Sequence, residues 1–190
     1  MTEKEIIARV KSSMSEKRFV HTEGCVRMAE KLAERWNAPK ELAIRAAWLH
    51  DIAKEIPYDE QLQMADKFGI ILNRTQKSRK IIHAFTGALI AWQEFGECED
   101  VCGAIRWHTT AHRNMTLLEK IIWLADLTEE GRSFPGVEEI RRLTFENIGE
   151  ALILGFDTTL SFLISGGSEI DANMIEARNY EISQRERKEQ

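Results

Sequence analysis

The residues able to do chemistry in this 190-residue chain are few and unevenly placed. There are five histidines: His21, His50, His83, His108 and His112. The doublet His50-Asp51 lies between Trp48-Leu49 and Ile52-Ala53. An ionisable pair inside an apolar run is costly unless it is paired or bound to a metal. His21 shares a helical face with Cys25, Met28 and Leu32, His108 lies over Val101 and Ala104, and Asp126 continues the stripe of Leu118 and Ile122. Any one of these histidines taken alone reads as a satisfied core or surface side chain. The ordered set His21, His50, Asp51 and Asp126, all on inward faces, is better explained as a shared ligand set. Imidazole with carboxylate suits iron, manganese, zinc or nickel better than calcium or magnesium. The set contains no thiolate, which weakens a structural-zinc reading.

Cations stand beside these ligands. Arg18 precedes His21 by three residues, Lys54 follows His50 by four, and Arg132 lies in the turn after Asp126. Each alone is a solvated charge; together they suggest an anionic substrate such as a phosphate chain. His112 is a decoy: Thr109 and Thr110 are poor helix continuers, so His108-x-x-x-His112 is read as running into a loop. Walker, dinucleotide-binding and GxSxG motifs are absent from the sequence,.

These ligands need helices to hold them. Apolar residues recur at helical spacing almost throughout, and only three prolines and eleven glycines interrupt them,. The expected helices run from a Thr2 capping box to about Ser13, then about Glu16–Trp36, Lys40–Ala53, Tyr58–Phe68, Ser78–Phe95 and Glu97–Trp107. A second capping box at Thr116 opens one that ends near Asp126 or Leu127, followed by about Val137–Thr144 and Asn147–Ile164. A last helix runs from about Asp171 until the charged tail from Gln184 to Gln190 frays. The fold class expected is all-α, one domain around a central metal site. A net charge of −5 with no basic block gives no footprint for nucleic acid,. Three cysteines without a CxxC pair, and no stretch of about 18 apolar residues, point to a protein of the reducing cytoplasm, off the membrane,.

The pattern resembles the HD superfamily of metal phosphohydrolases, and within it the YqeK family. The resemblance rests on Arg18-Phe19-Val20-His21-Thr22-Glu23-Gly24, His50-Asp51-Ile52-Ala53-Lys54-Glu55 and Ile105-Arg106-Trp107-His108-Thr109-Thr110. It extends through Met115 to Lys120, Ala125-Asp126, Arg132-x-Phe134-Pro135-Gly136-Val137 and Ile175 to Asn179. It implies an HD-domain helical bundle over residues 1–190, with a ligand-bearing core of about 17–128 and C-terminal helices of about 137–187 packed on it. It also implies symmetrical bis(5′-nucleosyl)-tetraphosphatase activity, in which diadenosine tetraphosphate and water give two ADP. By the same carry-over His21, His50, Asp51 and Asp126 hold iron or another divalent transition metal. His83 and His108 flank the phosphates, or hold a second metal where one is bound. Arg18, His21, Lys54, His83, Thr109 and Arg132 match nucleotide-contacting positions, and the segment from Ile170 to Ile175 is the candidate lining of the base pocket. The loop Ala111-His112-Arg113-Asn114 departs from the family's glycine- and proline-containing stretch.

The reaction class follows from the ligands: a transition metal acidifies water from a pKa of about 16 to about 7, and nearby cations spread the growing phosphoryl charge. Asp51 positions the metal, and His83 or His108 serves as proton donor or water orienter. Two rival readings stay open: an HD hydrolase of nucleoside mono- or triphosphates, and a nucleotide-binding HD module without turnover. Product analysis separates the first, and an assay of the metal-loaded protein the second.

Overall fold

Helix starts follow the capping chemistry. Thr2 and Thr116 each accept from the backbone N–H three residues on, while Glu5 and Glu119 reach back to the cap residue,. The computed structural model describes residues 1–189 and contains α1 (Glu3–Ser12), α2 (Glu16–Arg35), α3 (Lys40–Leu49), α4 (Tyr58–Lys67) and α5 (Ile82–Phe95). These are followed by α6 (Glu99–Trp107), α7 (Leu117–Thr128), α8 (Val137–Glu146), α9 (Ile148–Ser165) and α10 (Ala172–Glu189). No strand occurs among the described residues, so the chain is all-α.

Several boundaries differ from the sequence reading, among them the start of the fifth helix, which opens at Ile82 and not near Ser78. The third helix stops at Leu49, not near Ala53; residues 50–55 continue as tight turns, with Ile52 N–H donating to the Leu49 carbonyl and Lys54 N–H to that of Asp51. The last helix does not fray at Gln184: it continues to Glu189, and Arg185 pairs with Glu150 of α9. Gln190 lies outside the described residues.

α2 packs against α3 and α7, and α6 against α3, α5 and α7. Fully buried Leu32, Leu49, Ile105, Ile121 and Leu124 fill the space between them. α9 covers α7 and is flanked by α8 and α10. It corrects the expectation that no long apolar stretch exists: its mean hydropathy is 1.4 over 18 residues, enough by length and composition to cross a membrane. Polar residues interrupt it, which hid the stretch from inspection. Asp157 pairs with Arg178 of α10, and Phe156 is buried against Trp123 with ring centroids 4.5 Å apart. The helix therefore packs on the bundle along one face. A smaller apolar cluster of Ala65, Leu72, Ile82 and Phe85 holds α4 and the loop after it against α5.

Candidate metal centre and nucleotide pocket

Five helices or their ends deliver six histidines and carboxylates to one cluster, two of them from the end of α3, and the ends of α3 and α6 aim their histidines in the same way. His50 caps α3 and His108 caps α6. Their Nδ1–H groups donate to carbonyls of their own last turns, Ala47 and Ile105, each at 2.7 Å. A carbonyl only accepts, so Nδ1 carries the proton and Nε2 keeps its lone pair. His21 on α2 is held similarly, Nδ1 facing Glu129 Oε1 at 3.2 Å. Three imidazoles thus turn Nε2 toward the same space.

Around that space, His21 Nε2 stands 3.0 Å from Asp126 Oδ1 of α7, and His50 Nε2 3.5 Å from Asp51 Oδ2. The other oxygen of Asp51 faces His83 Nε2 of α5 at 3.2 Å and His108 Nε2 at 3.7 Å. His83 and His108 are 3.2 Å apart at Nε2, and Lys54 Nζ lies 3.1 Å from His83 Nε2. Asp51 is therefore the shared wall of two half-sites. His50 Nε2 is fully buried without a hydrogen-bond partner, as are Arg18 Nε and Thr109 Oγ1; Trp48 Nε1 is the fourth such atom. An orphan lone pair facing two carboxylates fits a metal ion, because such a nitrogen is otherwise costly to bury.

The charges agree. Burial alone would raise Asp51 and Asp126, but neighbouring histidines, and for Asp126 also Arg132, hold both carboxyls well below the usual range. Burial pushes His50 down to about 4 and His83 to about 3, so both are neutral at physiological pH. Burial would also lower His21, but its bond to Asp126 and the adjacent carboxylate charges outweigh it and raise the pKa.

The three expected cations are present at the site, and two of them rest on its anions. Arg18 donates to Asp51 Oδ2 at 2.8 Å and Arg132 to Asp126 Oδ1 at 2.5 Å. Lys54 reaches His83 through the turn after α3 and not along a helical face. Thr109 lines a cavity of about 500 Å³ that also takes in Arg79, Lys80, Thr110, Leu163 and Met174. From the segment 170–175 that cavity receives Asp171 and Met174. Ile170 and Ile175 are not among its lining residues, and Ile175 is 44% exposed. On a helix, the neighbour of an inward Met174 turns about 100° away. His112 lies outside the cluster, bonded to Glu119 at 3.1 Å and packed at a tilt against Trp107. A second cavity, about 530 Å³ between α5 and α6, is lined by Phe85, Trp92, Arg106 and Trp107; the clustered histidines and aspartates line neither cavity, and Thr109, next to His108 in the chain, belongs to the first.

Two residues of the site escape the sequence reading. Glu129, 5% exposed, fixes the His21 ring and accepts from Gly131 N–H at 2.5 Å. Its trace in the sequence is Gly24, a glycine inside α2: a Cβ there would lie 2.4 Å from Glu129 Oε2. Cys25, read as core in the sequence, also stands beside the cluster. Cys25 Sγ joins His21, His50 and Asp126, with donor atoms all within 4.8 Å of one another. The stripe containing Cys25 reads as core because cysteine is commonly buried as a small hydrophobe.

Comparison with known proteins agrees with this architecture. The HD domain family model matches residues 18–131. A Bacillus subtilis protein named bis(5′-nucleosyl)-tetraphosphatase, symmetrical, is 35% identical over 184 residues, covering 96% of this chain and 99% of that protein. A Halalkalibacterium halodurans protein of the same name is 36% identical over 171 residues, covering 90% of this chain and 91% of that protein. A crystal structure from Clostridium acetobutylicum, described as a predicted HD superfamily hydrolase involved in NAD metabolism, superposes with a TM-score of 0.93. It is 36% identical and covers 97% of this chain and 98% of its own. With the match spanning residues 18–131 and enclosing the whole histidine–aspartate cluster, the chain belongs to the HD-domain family, in the branch of the symmetrical bis(5′-nucleosyl)-tetraphosphatases.

Proposed function

We propose that this chain is a metal-dependent hydrolase that cuts diadenosine tetraphosphate symmetrically into two ADP. The observation that carries the reading is the orphan, fully buried Nε2 of His50 within reach of Asp51 and Asp126; a cavity of about 500 Å³ is lined by Thr109 and Thr110, the two residues that follow His108. The names of the relatives supply the substrate. In this reading His21, His50, Asp51 and Asp126 hold one divalent ion, iron by the family resemblance. When bound, that ion supplies acidified water as the nucleophile.

The chain's own residues do the rest. Glu129 and the carbonyls of Ala47 and Ile105 fix the three rings, so little reorganisation is needed,. His83 and His108 line the second half-site and flank the phosphate oxygens placed there. We assign that half-site to phosphate and not to a second metal, because Lys54 Nζ already stands 3.1 Å from His83 Nε2. An ammonium about 4 Å from a dication is repelled by about 8 kcal/mol at an effective dielectric of about 20. Lys54, Arg18 and Arg132 surround the point where charge develops, and Thr109 Oγ1 has a free proton to donate,. The cavity takes one nucleoside, with the apolar Leu163 and Met174 against the base and Arg79 and Lys80 on the polar side. One nucleoside and two phosphates then fill the site, and the bond between the second and third phosphates lies over the nucleophile. The leaving group is ADP, whose phosphate oxygen carries the charge without an added proton.

The reading treats the whole chain as one HD domain working in the cytoplasm, in keeping with its three free thiols,. Chromatography of the metal-loaded reaction is expected to give ADP as the sole nucleotide product, with oxygen from labelled water on the β-phosphate of one ADP. Equal ATP and AMP would overturn the register, and phosphate release from mononucleotides without cleavage of any dinucleotide would overturn the substrate class.

A further inference from the structure

We propose that Cys25 is a thiolate ligand of the metal centre, giving it a mixed nitrogen, oxygen and sulfur donor set that favours zinc and cobalt over manganese. This rests on the reading of His21, His50 and Asp126 as ligands and adds a donor to it.

Three observations carry it. Cys25 follows His21 by one helical turn on α2, so both side chains project from the same face, and Cys25 is 1% exposed,. Its Sγ stands 3.5 Å from His21 Nε2, the nitrogen aimed into the centre, and within 4.8 Å of the donor atoms of His50 and Asp126. Independently, His50 Nε2 is fully buried and lacks any partner on the protein side. With no hydrogen bond made by that nitrogen, and Asp51 Oδ2 3.5 Å away, an ion fits the space that the sulfur also borders.

The spacing suits shared ligation. Bonds of about 2.3 Å to sulfur and about 2.05 Å to nitrogen at a tetrahedral angle place the two donors about 3.5 Å apart, which is the distance seen between Cys25 Sγ and His21 Nε2. A cysteine serving only as filler has no reason to present its sulfur to the nitrogen of a ligand. On binding, the S–H proton leaves to solvent as the metal–sulfur bond forms, and no oxidant or reductant is involved. Sulfur is a soft donor, so its contribution is large for zinc and cobalt and small for manganese.

The test uses the full chain, stripped of metal and reloaded with cobalt, in a Cys98→Ser background that removes the exposed thiol. Cobalt bound by thiolate gives an intense sulfur-to-metal charge-transfer band in the near ultraviolet, separate from the weak visible bands of any bound cobalt. The expected result is a band in the Cys98→Ser protein that disappears in both Cys25→Val and Cys25→Ser, while the visible bands and helical circular dichroism persist. In competition titrations Cys25→Val is expected to lose about 10- to 100-fold in zinc affinity, on the scale seen for changes around metal sites, with manganese affinity changed by less than about twofold. Cobalt bound without the ultraviolet band, or a band that survives in both variants, overturns the assignment of Cys25 and leaves the histidine–aspartate reading standing. Failure of cobalt to bind overturns both.

Discussion

Gly24→Ala is the sharpest probe of how the centre is held. Taken alone, alanine in a helix interior is favoured over glycine by about 1 kcal/mol. Here the added Cβ would meet Glu129 Oε2 at 2.4 Å and Glu129 Cδ at 3.1 Å. Glu129 is 5% exposed, so its carboxylate has no route to water. Moving it weakens its bonds to Gly131 N–H and His21 Nδ1, and hydrogen bonds to a charged group contribute about 1.5–3 kcal/mol each,. Losing both costs about 3–6 kcal/mol, so the net change is a destabilisation of about 2–5 kcal/mol. Metal affinity falls as well, by about 10- to 100-fold, because the His21 ring loses its support. Urea denaturation and metal titration measure both. The decisive comparison repeats the substitution in a Glu129→Ala background, where the carboxylate is gone and Gly24→Ala should stabilise by about 1 kcal/mol. The same sign in both backgrounds would refute the reasoning.

Three further outcomes are expected. His50→Ala or Asp51→Ala abolishes turnover, because each removal opens the centre; activity at the wild-type rate in both variants and in the metal-free protein would exclude the metal mechanism. Lys54→Ala lowers kcat/KM by about 100-fold, on the scale of a lost electrostatic donor, with metal content equal to wild type by elemental analysis; unchanged kinetics would make Lys54 a bystander. The metal-free protein loses stability in acid on account of His50, whose folded pKa of about 4 lies below its ordinary 6.5. That stability is present in full above pH 6.5 and is lost as the pH falls toward 4, by about 3 kcal/mol for a shift of about 2.5 units,. Denaturation midpoints of wild type and His50→Asn between these limits should diverge, and parallel profiles would contradict the assignment.

Much of the site is legible in the sequence because its members break the hydrophobic pattern. His50-Asp51 interrupts an apolar run, and Asp126 sits on an inward stripe, so solvation cost alone marks them. The end of α3 is not legible: Ile52 and Ala53 keep the helical period, and only the bond from His50 to the Ala47 carbonyl shows the chain turning away. Glu129 is hidden because one of two adjacent glutamates before a glycine reads as a solvated charge; its burial depends on Gly24, 105 positions earlier. Cys25 is hidden for the opposite reason, since it fits the apolar stripe perfectly well and gives no sign of where its sulfur points. Ile170 and Ile175 illustrate the limit of transferring a segment: the stretch reaches the cavity, but through Asp171 and Met174.

The bonds from His50 and His108 to carbonyls three residues back have a consequence for how the rings are aimed. The last turns of a helix leave carbonyls that need donors, and in α3 and α6 the metal-facing imidazoles provide them. Each ring is therefore set in place by an interaction that its own helix requires, spanning only three residues and independent of long-range packing. The aim of Nε2 is decided locally, within a single turn. The candidate ligands are thus aimed by short-range bonds, and an ion bound there would join half-turns whose own contacts already orient the rings.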